Sequence, residues 1–273
     1  MKLHLPPVSV IALRGGYGNQ LFAWAYGQGL KSKGHVVVYD PGSRLGRGFA
    51  LDGLIPATAR LPLPAAFWRR IALLDSSWPR RCKLLVNIED QQKTPSHFSA
   101  SSGVLLHWGY WQSADYFSSV QEKVAHSLTR WLNIDPNDRY SECAIHVRRG
   151  DYVSDPAAAT IMGTLPLSYY RSAIEQMKDR GFSHFVVYSD DRGWVEDNLV
   201  PLDENIRVAA SDPEQDFVNM AKSSGLITAN SSYSWWAGFI ASFFGATVIA
   251  PRRWFADTTL DSSRIAPQSW TTL

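Results

Sequence analysis

The sequence is poor in cysteine and has no dense run of one charge, and both shortages exclude classes of protein. Its 273 residues contain only two cysteines, Cys82 and Cys143. Two thiols this far apart, without paired Cys or His ligands beside them, predict neither a disulfide framework nor a zinc site. Because the basic residues form no tract, we do not expect a nucleic acid partner.

Long apolar runs are also absent. Residues 223–251 contain no charged residue, but they include several serines together with Thr228 and Asn230. A bilayer-spanning helix needs about 20 predominantly apolar residues, so this stretch predicts buried strands and a buried helix instead. The N-terminus lacks the charged leader and cleavage site of a signal peptide. We therefore expect a cytoplasmic protein, with a location at the inner face of the membrane as the alternative.

The composition is that of a core-forming globular protein, with 45% hydrophobic and 19% charged residues. Its charge is unevenly distributed. Residues 1–138 hold 15 basic and 9 acidic side chains, whereas residues 139–273 hold 12 basic and 16 acidic ones. The excess of positive charge suits the first half to an anionic partner.

The spacing of the apolar runs predicts an α/β fold. Val8–Leu13 predicts a strand, residues 20–33 a helix and His35–Tyr39 a second strand, which together form the βαβ opening of a parallel sheet. From residue 139 onward, short apolar runs alternate with amphipathic stretches, as in a doubly wound sheet. Prolines punctuate residues 41–103, where we expect short helices and loops.

A domain boundary is expected near the middle of the chain. Residues 114–132 predict a helix, and the Asn- and Asp-rich residues 133–138 that follow predict a turn-rich connector. The chain then consists of an N-terminal domain, residues 1–138, and a C-terminal domain, residues 139–273.

The strongest candidate site is His146-Val-Arg-Arg-Gly-Asp151, at the exit of the first strand of the C-terminal domain. Adjacent arginines here are costly to desolvate unless an anion meets them, and a guanidinium matches phosphate oxygens. Neighbours on an extended segment point to opposite sides, so we expect one of Arg148 and Arg149 to be structural. The alternative is a surface ion pair with Asp151.

A second candidate is the glycine-rich turn at residues 15–20, which leads into the first predicted helix. Leu21 stands where a dinucleotide fingerprint has its third glycine, so this turn is not such a fingerprint. The turn still offers backbone N–H groups to a phosphate or a sugar. Asn19 is expected to reach the site from this side, and the alternative is that Asn19 caps the helix.

Further polar groups follow later strands. Asp190 suits ribose hydroxyls or a base edge, whereas Asp191 is expected to cap the next helix. Ser231 and Ser232 lie at a strand-to-helix turn, where they suit phosphate oxygens or simple capping. Trp235 and Trp236 are expected in the core.

These motifs together resemble a known family. The chain is similar to the α1,2-fucosyltransferases of glycosyltransferase family 11, and to the wider α1,2/α1,6/protein-O-fucosyltransferase group. The resemblance covers residues 15 to about 236. It rests on the glycine-rich turn, on Gly-Tyr-Trp-Gln-Ser at 109–113, on the arginine motif, and on the block from Asp216 to Trp236.

The resemblance implies a metal-independent, inverting transferase of the GT-B class, with two facing Rossmann-like domains and a cleft between them. The N-terminal domain would hold a glycan or lipid-linked oligosaccharide acceptor, and the C-terminal domain would hold GDP-β-L-fucose. By similarity, the donor-binding residues are Asn19, His146, Arg148, Asp216, Ser231 and Ser232. Asp190 joins this set because of its position after a strand. No further cofactor is implied.

The expected reaction is a single displacement, most simply forming an α1,2 linkage on a galactoside, as in bacterial surface polysaccharide synthesis. Arg148 would stabilise the departing diphosphate, since no Asp-x-Asp motif follows a strand at a donor position. Asp151 is the first candidate for a catalytic base, and Asp155 is the alternative. Other linkages, other GDP-sugars and an inactive sugar-binding protein stay open as rivals.

Residues 60–83 raise a membrane hypothesis. Six basic side chains there accompany Phe67, Trp68 and Trp78, with Asp75 as the single acid. Basic residues with aromatics suit a peripheral contact with anionic lipid, which would help with a lipid-linked acceptor. The alternative is an ordinary solvated basic face.

Overall fold

The computed structural model describes residues 6–41, 50–60, 104–210 and 212–273, and the backbone of residues 85–89. The chain divides into two compact units, the first ending at Val124 and the second beginning at Ala125. This division falls inside a helix and about ten residues before the predicted connector. The limits expected from the sequence, 1–138 and 139–273, stay a prediction.

The first unit contains a four-stranded sheet in which every described pairing is parallel. Its strands are β1, Val8–Ala12; β2, Val36–Asp40; β3, Leu85–Glu89; and β4, Val104–Trp108. They lie in the order β2-β1-β4-β3. Helix α1, Tyr17–Ser32, connects β1 to β2, and the βαβ opening predicted from the sequence is confirmed.

The second unit contains a six-stranded parallel sheet in the order β10-β9-β8-β5-β6-β7. The strands are β5, Tyr140–Val147; β6, Phe185–Ser189; β7, Ile206–Val208; β8, Ser223–Ile227; β9, Thr247–Ala250; and β10, Thr271–Thr272. The α/β class with parallel sheets is therefore confirmed. The facing arrangement of the two units stays an expectation.

Helices connect these strands. The α-helices after α1 are α2, Gln121–Trp131; α3, Gly150–Ser154; α4, Pro156–Ile161; α5, Leu167–Asp179; α6, Arg192–Asn198; α7, Pro213–Lys222; and α8, Ser232–Phe243. Short 3₁₀ helices occupy Ala57–Ala59, Ala114–Val120 and Val200–Leu202.

Capping side chains fix where several of these helices begin. The side chain of Asp191 accepts from the backbone N–H of Trp194, and that of Ser231 accepts from Tyr233. Asp212 caps α7 in the same way by accepting from the first-turn N–H groups. The capping role predicted for Asp191 is thus confirmed.

Aliphatic and aromatic side chains from both faces of the second sheet form its core. Cys143, Ile145 and Val147 of β5 are fully buried against α5 and α6. Trp235 and Trp236 on α8 have no exposed surface, as predicted, and the Trp235 indole donates to the carbonyl of Ile265 over 2.7 Å. A buried indole needs such an acceptor, because an unsatisfied N–H would cost free energy.

The structure departs from the predicted elements in several places, of which two concern the first half of the chain. Residues 85–89 form strand β3, within a segment predicted to hold short helices and loops. The helix predicted at residues 114–132 begins as the 3₁₀ helix and becomes α2 only at Gln121, with a kink at Phe117. Apolar spacing alone does not register such a kink, because both helix types place side chains on one face.

Candidate active site

The candidate site lies at the carboxyl edge of the second sheet. From β5 the chain moves outward through β6 and β7, and then returns to build β8, β9 and β10 on the other side of β5. The strand order therefore reverses between β5 and β8. In open α/β sheets, ligands bind outside the carboxyl ends of strands at such a switch point.

Arg148 follows β5 and is held by two carboxylates. One guanidinium nitrogen lies 2.7 Å from Asp151 Oδ1, and the other lies 2.9 Å from Asp190 Oδ2 at the end of β6. The Arg148 side chain is 29% exposed. Its cation is thus held by carboxylates but is still partly exposed, and the ion pair with Asp151 that was the alternative interpretation of the motif is present.

Arg149 has different partners. Its Nε lies 2.9 Å from Asp191 Oδ2, and its guanidinium carbon lies 4.5 Å from the centre of the Trp194 ring. The hydrogen bond from Arg149 lowers the pKa of the Asp191 carboxyl below its usual value. The two arginines therefore contact different side chains, and each is held by at least one carboxylate.

Asp190 connects the loops after β5 and β6. Besides its ion pair with Arg148, its Oδ1 accepts from the backbone N–H of Arg149 over 2.9 Å. A Cβ atom at Gly150 would lie 2.6 Å from Asp190 Oδ2, so only glycine permits this approach. The sequence suggested that Asp190 would meet a ribose or a base, but its carboxylate is engaged with the arginine motif.

His146, on β5, is buried beside the aromatic ring of Tyr233, with ring centres 5.4 Å apart. Burial, with a smaller contribution from the positive charge of Arg148, lowers the pKa of His146 to about 3. Its Nδ1 is buried and has no hydrogen-bond partner among the described residues. His146 is therefore a neutral, buried imidazole on β5, with one nitrogen that has no partner among the described residues.

The N-terminus of α8 forms the other side of the switch point. Ser231 is the N-cap residue and Ser232 is the first helical residue, so both lie where backbone N–H groups and the helix dipole favour an anion. Tyr152 O–H donates to the carbonyl of Asn230 over 3.2 Å. This contact connects the loop after β5 to the loop after β8.

Two acidic residues lie near this edge in other roles. Asp216 is half-buried in the first turn of α7, the helix that leads into β8. Asp155 caps α4 by accepting from the backbone N–H of Ala157 over 2.9 Å. Asp155 therefore has a structural role that the sequence did not separate from its candidacy as a base.

Asn19 belongs to the first unit and lies inside α1. The N-cap residue is Gly16, which has no side-chain cap, so the capping alternative for Asn19 is wrong. Gln112 instead donates to Asn19 Oδ1 over 2.8 Å, which joins the glycine-rich turn to the Gly-Tyr-Trp-Gln motif. The helix starts earlier than predicted because Tyr17 and Gly18 already have helical geometry.

Gly15 explains why this turn is tight. Its φ of +68° is unfavourable for any other residue, and an added Cβ would lie 2.7 Å from Asn19 Nδ2. The buried Gln20 side chain donates to the Gly15 carbonyl and accepts from the Ala50 N–H. Gln20 is therefore a structural residue of the motif, while the half-buried Asn19 accepts from Gln112.

The structure brings together Arg148, Asp151, Asp190, His146, Ser231 and Ser232 around the β5/β8 switch point of the second unit. Asn19 lies in the first unit. Sequence patterns missed the engagement of Asp190 and the Tyr152 contact, because both join loops that only the sheet order makes adjacent. Within the described part of the chain, no cluster of three His, Cys, Asp or Glu residues has the arrangement of a metal site.

Comparison with known proteins gives relatives of consistent type. The chain is 28% identical to an Escherichia coli α-1,2-colitosyltransferase over 96% of its length and 98% of that protein. It is 35% identical to the O-antigen biosynthesis glycosyltransferase WbnK of E. coli, over 48% of this chain and 44% of WbnK. A Bos taurus galactoside 2-α-L-fucosyltransferase, SEC1, is 25% identical over 64% of this chain and 49% of SEC1.

The chain thus spans less than half of the length of WbnK and of SEC1. Among solved structures, a fucosyltransferase NodZ from Bradyrhizobium is 12% identical with a TM-score of 0.44, covering 86% of this chain and 92% of that one. Because this TM-score is below 0.5, we draw nothing about the chain from that similarity.

The α/β fold and these relatives place the chain among the glycosyltransferases. More narrowly, the sequence model of glycosyl transferase family 11 matches residues 87–273, well over half of the chain. The chain belongs to glycosyl transferase family 11. No helix in the described ranges combines the length and the apolar character that crossing a bilayer requires.

Proposed function

We propose that this chain transfers L-fucose from GDP-β-L-fucose, with inversion, to a galactoside hydroxyl and forms an α1,2 linkage. Family membership and the relatives named for α-1,2-colitosyl and galactoside 2-α-L-fucosyl transfer support this proposal. The observation that carries it is the position of Arg148, a partly exposed guanidinium that follows β5, the strand next to the one that leads into α8.

In the proposed reaction, an acceptor hydroxyl attacks the anomeric carbon of fucose while the bond to the GDP oxygen breaks. Negative charge then grows on the diphosphate. Arg148 and the N–H groups at Ser231 and Ser232 are suited to stabilise that charge, since preorganised donors at such a position lower the barrier. The inverted configuration follows from a single displacement.

The nucleoside is proposed to lie along the opposite wall of the switch point. His146 offers a neutral, unpartnered Nδ1, and Asp216 lies on the preceding helix. Both would serve guanosine, and Asp190 would act on the donor by holding Arg148 in place. Asn19 would act on the donor from the first unit.

Asp151 is the proposed base that accepts the proton of the acceptor hydroxyl. Its Oδ1 lies 2.7 Å from Arg148, which would place a proton acceptor beside the group that meets the diphosphate. Asp155 is the alternative base, and its carboxylate already caps α4.

The transfer is proposed to need no metal, because cationic and N–H groups take the place of one at the diphosphate. Incubation with EDTA should then leave the transfer rate unchanged, with a metal-dependent glycosyltransferase as the positive control. A loss of activity that added Mg²⁺ or Mn²⁺ restores would contradict this part of the proposal.

The central experiment supplies the purified protein with GDP-fucose, GDP-colitose or GDP-mannose, each with a galactoside acceptor. We expect GDP release and a fucosylated product from GDP-fucose, with nuclear magnetic resonance showing an α1,2 linkage. If none of the three donors releases GDP, the result would support the rival hypothesis that the chain is an inactive binding protein. A product with another linkage would support the proposed donor and contradict the proposed α1,2 linkage.

A second candidate is α1,2-colitosyl transfer, because the relative of that name is similar along nearly the whole chain. Colitose lacks the hydroxyl that fucose carries at C3. A site that hydrogen-bonds this hydroxyl would reject the deoxy sugar strongly, whereas an apolar site would discriminate weakly. The ratio of kcat/KM for the two donors therefore decides between the candidates.

The cytoplasmic location and the membrane contact stay proposals. Of the basic residues at 60–83, the structure describes Arg60 alone, and the others lie outside the described residues. Arg60 pairs with Asp52 at 2.9 Å and donates to the carbonyl of Ile55. Flotation of the protein with anionic vesicles tests the proposed membrane contact. If the protein does not float with the vesicles, this proposal is wrong.

A further inference from the structure

The first sheet has a switch point of its own. From β1 the chain moves to β2 on one side, and β4 later pairs with the other side of β1. The strand order reverses between β1 and β4. A ligand crevice is therefore expected outside the carboxyl ends of these two strands, within the first unit alone.

Arg14, Trp108 and Tyr110 lie at this edge. Arg14 follows β1, Trp108 ends β4, and Tyr110 comes two residues later. The guanidinium carbon of Arg14 lies 4.7 Å from the Trp108 ring centre and 5.1 Å from the Tyr110 ring centre. All three side chains are half-buried, so each retains accessible surface.

Arg14 has no acidic partner among the described residues. Its Nε is buried and makes no hydrogen bond there. Arg60, also in the first unit, differs from Arg14 in pairing with Asp52 and with a backbone carbonyl. Stacking on rings leaves the in-plane N–H donors of a guanidinium available.

We propose that Arg14, with Trp108 and Tyr110, forms a subsite that binds an anionic group of the acceptor. The proposal rests on the function proposed above and adds the charge of its substrate. The rings offer flat apolar faces against which sugar rings pack, and the guanidinium offers a fork for an oxyanion. The positive excess of residues 1–138 favours the same sign of ligand.

Two acceptor chemistries carry such an oxyanion, namely the carboxylate of a uronic acid and the diphosphate of a lipid-linked sugar. The first probe pair is a galactosyl glucuronic acid disaccharide and its uncharged methyl ester. The second pair is a galactosyl diphosphate with a short prenyl chain and the matching uncharged prenyl galactoside. Calorimetric titration of each compound, with GDP present, measures the preference for charge and identifies its source.

The unmodified protein should bind the charged member of one pair roughly tenfold more tightly than the neutral member, since hydrogen bonds to charged groups are strong. Arg14→Gln should remove this preference, and Arg14→Lys should keep part of it because a cation remains. Arg171→Gln is the matched control, because Arg171 is exposed on α5 in the second unit. That control should keep the full preference.

Equal affinity of the unmodified protein for charged and neutral members of both pairs would overturn the subsite, whether or not any variant folds. A full preference retained by Arg14→Gln would overturn it as well. Donor assays separate this result from the proposed function. GDP-fucose transfer without a charge preference refutes the subsite alone, and a charge preference without transfer refutes the transferase activity alone.

Discussion

The guanidinium of Arg148 and the carboxylate of Asp190 lie 2.9 Å apart although they follow different strands. Val147 and Ser189, the last residues of β5 and β6, are register partners, so both loops leave the sheet at the same level. The same carboxylate accepts from the backbone of Arg149. The ion pair therefore positions a cation, and its contribution to stability is expected to be modest because both groups are partly exposed.

Replacing Arg148 should affect turnover. We expect Arg148→Ala to lower kcat by about 10²–10³-fold at saturating GDP-fucose, because the departing diphosphate loses a preorganised cation. Arg148→Lys should retain part of the rate, since the charge remains without the fork. Steady-state kinetics with a donor titration measures both variants.

Arg149→Ala serves as the neighbouring control for that experiment. It removes the contacts with Asp191 and Trp194, so it should cost about 1 kcal/mol in the free energy of unfolding and change kcat less than Arg148→Ala. Near-normal turnover by Arg148→Ala would contradict the proposal that Arg148 stabilises the departing diphosphate.

Asp151→Asn tests the proposed base. Asparagine retains an oxygen that can accept from Arg148 but cannot take a proton, so kcat should fall by about 10²-fold or more with little change in the donor KM. Asp155→Asn is the control, because asparagine also caps helices and should preserve α4. The dependence of kcat on pH distinguishes the two roles. If kcat falls at acidic pH in the same way in Asp151→Asn and in the unmodified protein, Asp151 is a positioning residue and not the base.

Gly15→Ala and Gly34→Ala form a matched pair. Both glycines have positive φ, +68° and +87°, so each alanine should cost about 1–2 kcal/mol in stability. An added Cβ at Gly34 meets nothing within 4 Å, whereas at Gly15 it meets Asn19. Only Gly15→Ala should therefore reduce kcat/KM as well, and equal losses of activity in both variants would refute a role for the position of Asn19.

Acid should destabilise the protein through its buried histidines. Burial lowers the pKa of His146 and of His107 to about 3, whereas an unfolded histidine titrates near 6.5. The unfolded state thus binds the proton first, and stability falls as pH drops from about 6.5 towards 3. Each histidine should cost about 2 kcal/mol between pH 7 and pH 5.

Urea unfolding at both pH values, followed by tryptophan fluorescence, measures this loss. His107→Gln should show a loss smaller by about that amount, whereas His184→Gln, on the exposed surface, should behave like the unmodified protein. Identical losses in all three proteins would mean that other groups cause the acid sensitivity.

Much of the second unit was predictable from sequence because its strands are short apolar runs and its helices carry local signals. Asp191 and Ser231 precede their helices as capping residues must, and both confirm where α6 and α8 begin. Strand β3 was not predictable, because the proline-rich segment around it lacks the regular alternation on which such predictions depend.

The candidate site was predictable only as a set of strand-end residues. The sequence placed Arg148 and Asp190 after separate strands, but it could not assign Asp190 to Arg148 instead of a ligand. Likewise, the sequence predicted that Asn19 reaches the site and left open whether it caps α1 instead. In the structure, the partner of Asn19 is Gln112, which lies far along the chain.

The sequence by itself determined the family, the α/β class and the residue types at the strand ends, because periodicity, capping and motif spacing are local properties of the chain. Only the tertiary structure decided which of those residues meet. The order β8-β5-β6 brings three loops to one edge, and the order β2-β1-β4 brings Arg14 to Trp108. Strand order depends on how distant segments bury their apolar faces together, and no local pattern encodes it.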